Sequence, residues 1–367
     1  MLAENSESLP RIYVVGAPGA VGGADTELWH TLRLWRSRDL PVTVVPTWKL
    51  NTAWRARCEA IGCQVSEPQR PGALLDVPGI RSGVVVSFCN GHFLDHAGRF
   101  REAGCRVVWV NCMTWLFPAE RKHYDHFGLF DHYVFQSRHQ ERALTAKLAG
   151  YGYRPGQGTV IRGAFCLDEF PFRPRPHAAR EPLRIGRISR PDADKYSSNT
   201  WPIYARIPHP IRARLMAWSP QIEEKLGPPP PWAECLPVNA EPAAEFFAKL
   251  HAMVQVNGGA GENWPRSGLE AMATGVPVVV QNLWGWREMI RHGRTGFLCD
   301  DDDQIAYYTA RLAYDEDLRL AVAANARRAL EEEHADSDRL WSQWCGVFAH
   351  LAEHRTPITV SPNNDPL

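Results

Sequence analysis

Short apolar runs and amphipathic stretches alternate along the first half of the chain. RIYVVGAP reads as a strand, followed by a Gly-rich turn and a helix from about Asp25 to Arg38. PVTVVP is a second strand and TAWRARCEAIG a helix; GVVVSF, RVVWVN and HYVFQS are further strands, with helical segments such as DHAGRFREAG between them. QERALTAKLAGYG is another helix and GTVIRGA a last strand. Continuous apolar strands alternating with helices predict a parallel, doubly wound sheet. A Pro/Arg-rich stretch at 170–182, FPFRPRPHAAREP, breaks the rhythm and reads as a domain linker. The alternation then restarts with strands LRIGRIS, RARLMAW, AECLPV, HAMVQVN, VPVVV and TGFLC, and with helices from Thr200, in QIEEKLG and in AAEFFAKL. From Gln304 to about His354 the chain reads as helical and amphipathic, with Trp341, Trp344 and Phe348 on one apolar stripe. The pattern predicts two Rossmann-like α/β domains facing a cleft, over residues 1–173 and 174–345, followed by a helix end and tail at 346–367. The C-terminal helix has the option of crossing back to the N-terminal domain. Residues 1–9 and about 356–367 read as disordered.

Composition narrows the function classes. At 367 residues the chain exceeds one ordinary core, and its 44% hydrophobic and 22% charged content suit a globular protein. Lys plus Arg and Asp plus Glu are both 41, so no global basic field invites nucleic acid. No apolar run reaches the roughly 18 residues needed to span a bilayer, and the polar start MLAENSESLP is unlike a signal peptide. The 9 cysteines are scattered and include no CxxC pair, which points to reduced thiols and a cytoplasmic location.

The sharpest chemical signal is a pair of carboxylates in GENWPRSGLEAMATGVPVVV. Glu262 falls in the loop after a buried strand, and Glu270 falls about one turn into the helix that follows. Ligands of open α/β sheets bind at this carboxyl edge, where helix amides and the macrodipole favour anions. Two fixed carboxylates beside an anion site suit a ligand that carries both hydroxyls and phosphate, such as a nucleotide-sugar.

The stretches GGADTELWHTLRLWRSRDLPVTVV, HYVFQSRHQERAL, IGRISRPDADK, ENWPRSGLEAMATGVPVVV and REMIRHGRTGFL make the chain resemble the retaining, family-4-like glycosyltransferases of GT-B architecture (glycosyl transferases group 1). The resemblance covers nearly the whole chain and is stronger in its C-terminal half. It implies transfer of a hexose-like sugar from a nucleoside-diphosphate donor to an acceptor, with anomeric retention and no metal or other cofactor, as in carbohydrate biosynthesis. By the resemblance Glu270 binds the nucleotide ribose and Glu262 the transferred sugar. Lys195 with Arg190, or alternatively Arg187, holds the diphosphate, and Gly22 and Gly23 approach the donor phosphate and acceptor. Two departures stand out. Asn263, Trp264, Pro265 and Arg266 replace a Gly-aromatic-Gly run, so Trp264 and Arg266 are expected to reshape the sugar pocket. Asn111 replaces a pocket histidine, a place that His92 is a candidate to fill.

Other features have simpler readings. The run Asp300–Asp303 suits helix capping better than metal binding. His123, His126, His132 and His139 fit no single helix face, so no metal site is expected. Trp48, Trp54 and Trp115 fall near N-domain loops, where aromatic faces can stack on a sugar acceptor, although core packing is the default reading. The acceptor (glycan, lipid or small molecule), the base, the sugar and the oligomeric state are not legible. A nucleotide-sugar epimerase and a non-catalytic nucleotide-sugar binder are the alternatives.

Overall fold

Thirteen strands, all in parallel pairs, organise the described residues into two sheets. The computed structural model describes residues 10–19, 22–70 and 72–353; the termini expected to be disordered, 1–9 and 356–367, lie outside these. The first sheet contains β1 (Ile12–Val15), β2 (Val42–Val45), β3 (Gln64–Val65), β4 (Val84–Phe88), β5 (Arg106–Val110), β6 (His132–Phe135) and β7 (Gly158–Val160), in the order β3-β2-β1-β4-β5-β6-β7. The second contains β8 (Leu183–Ile188), β9 (Ile211–Met216), β10 (Ala233–Leu236), β11 (Ala252–Gln255), β12 (Val278–Gln281) and β13 (Phe297–Cys299), in the order β10-β9-β8-β11-β12-β13. Both are doubly wound α/β sheets, as the alternating pattern predicts. The central strands are buried on both faces, which is why they read as unbroken Val-rich runs.

Each sheet heads its own unit. The first unit takes in the described parts of 1–19, 24–164 and 337–367; the second takes in Gly22, Gly23 and Phe165–Asp336. The chain therefore leaves the first unit at Ala164 and rejoins it at Ser337, rather than changing over at 173/174 and 345/346. The stretch 170–182, expected to be a linker, is packed onto the second unit. Phe170 is buried in that unit's core, Arg327 Nη1 donates to the Phe170 carbonyl at 3.0 Å, and Arg173 N donates to Thr274 O at 3.0 Å. Its prolines exclude regular structure, but the buried Phe170 and the backbone bonds fix its course.

The expected single helical run after Gln304 is three helices: Asp302–Tyr314, Glu316–Ala329 and Ser337–Glu353. Asp315 ends the first and caps the second, its side chain accepting from Leu318 N at 2.9 Å. A π-turn at Leu330–His334 ends the second. The last helix belongs to the first unit, where Leu340, Trp344, Val347, Phe348 and Leu351 complete the core around Trp35. The Trp344 ring meets Trp35 edge-on at 4.8 Å and stacks on Phe348 at 5.8 Å. No helix among the described residues is long and apolar enough to cross a membrane.

Candidate functional site

In the second sheet the strand order reverses between β8 and β11: β9 and β10 lie beyond β8, while β12 and β13 lie beyond β11. Such a switch point opens a crevice at the carboxyl ends of its two central strands. The loops that leave β8 and β11 there are stitched together. Arg187, near the end of β8, is fully buried, with its guanidinium 4.1 Å from the Tyr196 ring centroid. It donates to Val256 O at 3.0 Å in one loop and to Lys195 O at 2.9 Å in the other. Ser197 N to Val256 O at 3.3 Å and Ala260 N to Asp194 O at 3.2 Å add backbone stitches. A side chain at Gly258 would collide with the Tyr196 carbonyl, so only glycine lets the loops close.

This brace presents Lys195 to Glu262. Lys195 Nζ lies 3.1 Å from Glu262 Oε1, with the two side chains only 12% and 13% exposed. Gln255, the last residue of β11, donates its Nε2 to the same oxygen at 3.0 Å. The Glu262 backbone is fixed as well: its carbonyl accepts from Gly285 N at 2.9 Å, and a side chain at Gly285 would run into the Asn263 carbonyl. Glu262 is thus pre-oriented at both ends, and Oε2 makes no hydrogen bond among the described residues.

Glu270 lies in the second turn of helix Arg266–Thr274, 8% exposed. Among the described residues its carboxylate makes no hydrogen bond and no ion pair. Burial pushes its pKa up to about 7; nearby Arg266 pulls it down and Glu169 pushes it further up. A buried carboxylate without donors is costly, and its burial favours the protonated form.

The remaining candidates fall into three groups. Arg190 projects from the loop after β8, paired with Asp192 at 3.1 Å and 40% exposed, whereas Arg187 is spent on backbone carbonyls. Gly22 (φ +120°) and Gly23 group with the second unit, and a Cβ on Gly23 would sit 3.1 Å from Arg266 Cγ. Arg266 is buried, its guanidinium 5.3 Å from the Phe165 ring centroid. Trp264, expected to reshape a sugar pocket, is 5% exposed and packs in the core, 5.3 Å from the His334 ring. Pro265 occupies the N-cap position of the helix that carries Glu270, without a side-chain hydrogen bond to it.

In the first unit, Asn111 has its polar atoms occupied: Nδ2 donates to Glu120 Oε2 at 3.1 Å and to Trp115 O at 3.0 Å, and Oδ1 accepts from Met113 N at 2.8 Å. These bonds tie the end of β5 to the loop and helix that follow it. His92 is exposed, its ring 6.1 Å from that of the half-exposed Trp48. Of the histidines weighed as metal ligands, His123 stacks on Phe130 at 4.5 Å, and burial holds its pKa down to about 3. In the acidic run, Asp301 caps its helix, accepting from Gln304 N at 2.8 Å. None of the nine cysteines takes part in a disulfide.

Sequence reasoning missed Gln255 and the bracing role of Arg187. A glutamine closing an otherwise apolar strand was the available signal for the first. The spacing of Arg187 from Lys195 gave none for the second.

Residues 238–329, which carry both glutamates, match the family described as Glycosyl transferases group 1. Over 82 residues the chain is 37% identical to an N-acetyl-alpha-D-glucosaminyl L-malate synthase of Bacillus anthracis, covering 22% of this chain and 21% of that protein. Over 117 residues it is 36% identical to a GDP-mannose-dependent alpha-(1-6)-phosphatidylinositol monomannoside mannosyltransferase of Mycobacterium tuberculosis, covering 30% of this chain and 28% of that one. These matches span less than a third of either relative. The whole architecture has counterparts too. Anabaena Alr3699/HepE, solved in complex with UDP-glucose, superposes with a TM-score of 0.72 at 18% identity, over 93% of this chain and 99% of that one. TarM does so at 0.73 and 9% identity, over 93% and 99%. At such identities the likeness speaks for the fold, and the family match speaks for the segment around the glutamates. On these findings the chain has the two-sheet GT-B fold, and its segment 238–329 is similar to the group 1 glycosyltransferases.

Proposed function

We propose that this chain transfers a sugar from a nucleoside-diphosphate sugar to an acceptor, with retention of anomeric configuration and without a metal ion. The observation that carries this reading is the Lys195–Glu262 pair at the switch point of the second sheet, followed by the partnerless carboxylate of Glu270. A carboxylate accepts two hydroxyl hydrogen bonds, so Glu270 takes the ribose diol and relieves the cost of its own burial. Glu262 Oε2 accepts from a hydroxyl of the transferred sugar. Lys195 and Arg190 neutralise the departing diphosphate, as preorganised charge does where negative charge develops in a transition state. Front-face attack then forms the bond from acceptor oxygen to anomeric carbon as the bond from carbon to phosphate oxygen breaks. The acceptor proton passes to the leaving phosphate.

The named partners of the relatives support a nucleotide-sugar donor: UDP-glucose in the Anabaena structure and GDP-mannose in the name of the mycobacterial enzyme. They differ in base and sugar, so the donor is an experimental matter. A thermal-shift panel of UDP-, GDP-, ADP- and TDP-sugars in EDTA should raise the melting point for one base class, because only ligands of the native state stabilise it. Transfer with that donor, read by NMR of the product's anomeric proton, should show the donor's own configuration. No shift with any donor would overturn the reading, as would an inverted product. An isomerised donor in the absence of acceptor would point to an epimerase instead.

A further inference from the structure

We propose that Gln255 is a positioning residue that keeps Glu262 in register for the donor sugar when Lys195 turns to the diphosphate. This rests on the donor reading above. In the structure Lys195 and Gln255 share one oxygen of Glu262, at 3.1 and 3.0 Å. The ammonium is the one within reach of a second anion, since Lys195 sits in the loop that also carries Arg190. A diphosphate has more charge than a single carboxylate, so an arriving donor draws Nζ away from Glu262. Unless another group holds it, Glu262 then loses its orientation when the sugar needs it.

Gln255 fits that task for three reasons. It is 2% exposed at the end of a buried strand, so its side chain has little freedom to follow Lys195. Its amide has only one workable orientation, because rotating it by half a turn would set Oε1 against the carboxylate, acceptor against acceptor. Finally, its own Oε1 is buried and has no partner among the described residues. An unsatisfied buried acceptor is destabilising, so this glutamine is not there to complete its own hydrogen bonding. What it supplies is one neutral donor to Glu262. A neutral donor orients the carboxylate yet leaves its charge available to the sugar hydroxyl at Oε2.

The test compares wild type with Gln255→Met, which keeps the length and removes the donor, and with Gln255→Glu, which keeps the shape and replaces donor by acceptor. Calorimetry with UDP and with UDP-glucose (or the guanosine pair, should the donor panel select it) is run beside steady-state transfer. In Gln255→Met the nucleoside diphosphate should bind within about twofold of wild type, while kcat falls about tenfold, as expected for one neutral hydrogen bond to a charged group. The affinity added by the sugar should fall with it. Gln255→Glu should lose at least as much, and its melting curve shows whether it is folded. Wild-type turnover in either folded variant would overturn the proposal and leave the donor reading intact. A parallel loss of affinity for UDP and UDP-glucose would mean a merely structural role and would also overturn it. Failure of wild type to bind any nucleotide-sugar would instead remove the reading beneath it.

Discussion

The two sheets treat a buried glutamate in opposite ways. Glu120 in the first unit is fully buried and surrounded by donors: Trp109 Nε1 at 2.7 Å, Phe117 N at 2.6 Å, Tyr124 Oη at 3.1 Å and Asn111 Nδ2 at 3.1 Å. Glu270 in the second unit is nearly as buried and has none among the described residues. Burial raises the pKa of both. A carboxylate whose acceptor sites are filled from within is held by the fold, whereas one with its lone pairs unfilled is not. The carboxyl edge of the first sheet follows the first pattern elsewhere too: Gln140 Nε2 donates to Met113 O at 2.7 Å, and Gln136 donates to Glu27.

The largest break in that contrast should come from Lys195→Ala. Loss of one preorganised cation at the departing diphosphate is expected to lower kcat by about a hundred- to a thousandfold in the protein that remains folded. Wild-type kcat in the folded variant would remove Lys195 from the diphosphate. Next in size is Glu120→Ala, which orphans several buried donors and should cost about 3 kcal/mol or more in denaturant unfolding. In the protein that remains folded, nucleotide affinity should stay at the wild-type value; a weakened affinity would mean that the two edges are not separable.

Glu270→Gln sharpens the comparison through pH. The folded-state pKa of Glu270 is about 7, above its ordinary 4.5, so its contribution to stability is fully present below 4.5 and lost as pH rises through 7. The glutamine variant does not titrate. It should match wild type near pH 4.5 and become the more stable protein above pH 7, by up to about 3 kcal/mol. Its affinity for the nucleoside diphosphate at pH 8 should nonetheless be weaker, about tenfold, since a neutral amide accepts less strongly from a diol. Unfolding curves at pH 5 and pH 8 that give the same difference between the two proteins would dismiss the unpartnered carboxylate. Smallest is Arg190→Ala. The exposed Arg190–Asp192 pair contributes less than about 0.5 kcal/mol to folding, so stability should hold while the donor KM rises a few-fold. An unaltered KM would exclude Arg190 from the diphosphate.

The same contrast explains what the sequence could and could not disclose. Parallel strands buried on both faces advertise themselves as Val-rich runs, so both sheets were legible. Strand β3 is two residues, Gln64–Val65, with no run to read, and helix Pro118–Phe127 hides its few inward residues among charges. The breaks at Asp315 and Leu330–His334 escaped notice because apolar spacing continues across them. The two glutamates and Lys195 stood out because a motif carries them at fixed offsets. Which arginine braces and which projects was not legible, since burial of Arg187 depends on Tyr196 and Val256, contributed by loops that only the fold brings together. The pocket position was misjudged for a related reason: Asn111, chosen because it stands where a pocket histidine is expected, is consumed by Glu120.

The return of the last helix to the first unit has a consequence for biogenesis. As the chain emerges from the ribosome, the opening 164 residues appear first but lack Leu340, Trp344 and Phe348, which fill the space beside Trp35. The contiguous Phe165–Asp336 segment holds nearly all its own interior and can consolidate as soon as it is made. The earlier-made part of the first unit therefore matures late, with its core around Trp35 incomplete until the helix Ser337–Glu353 has been made.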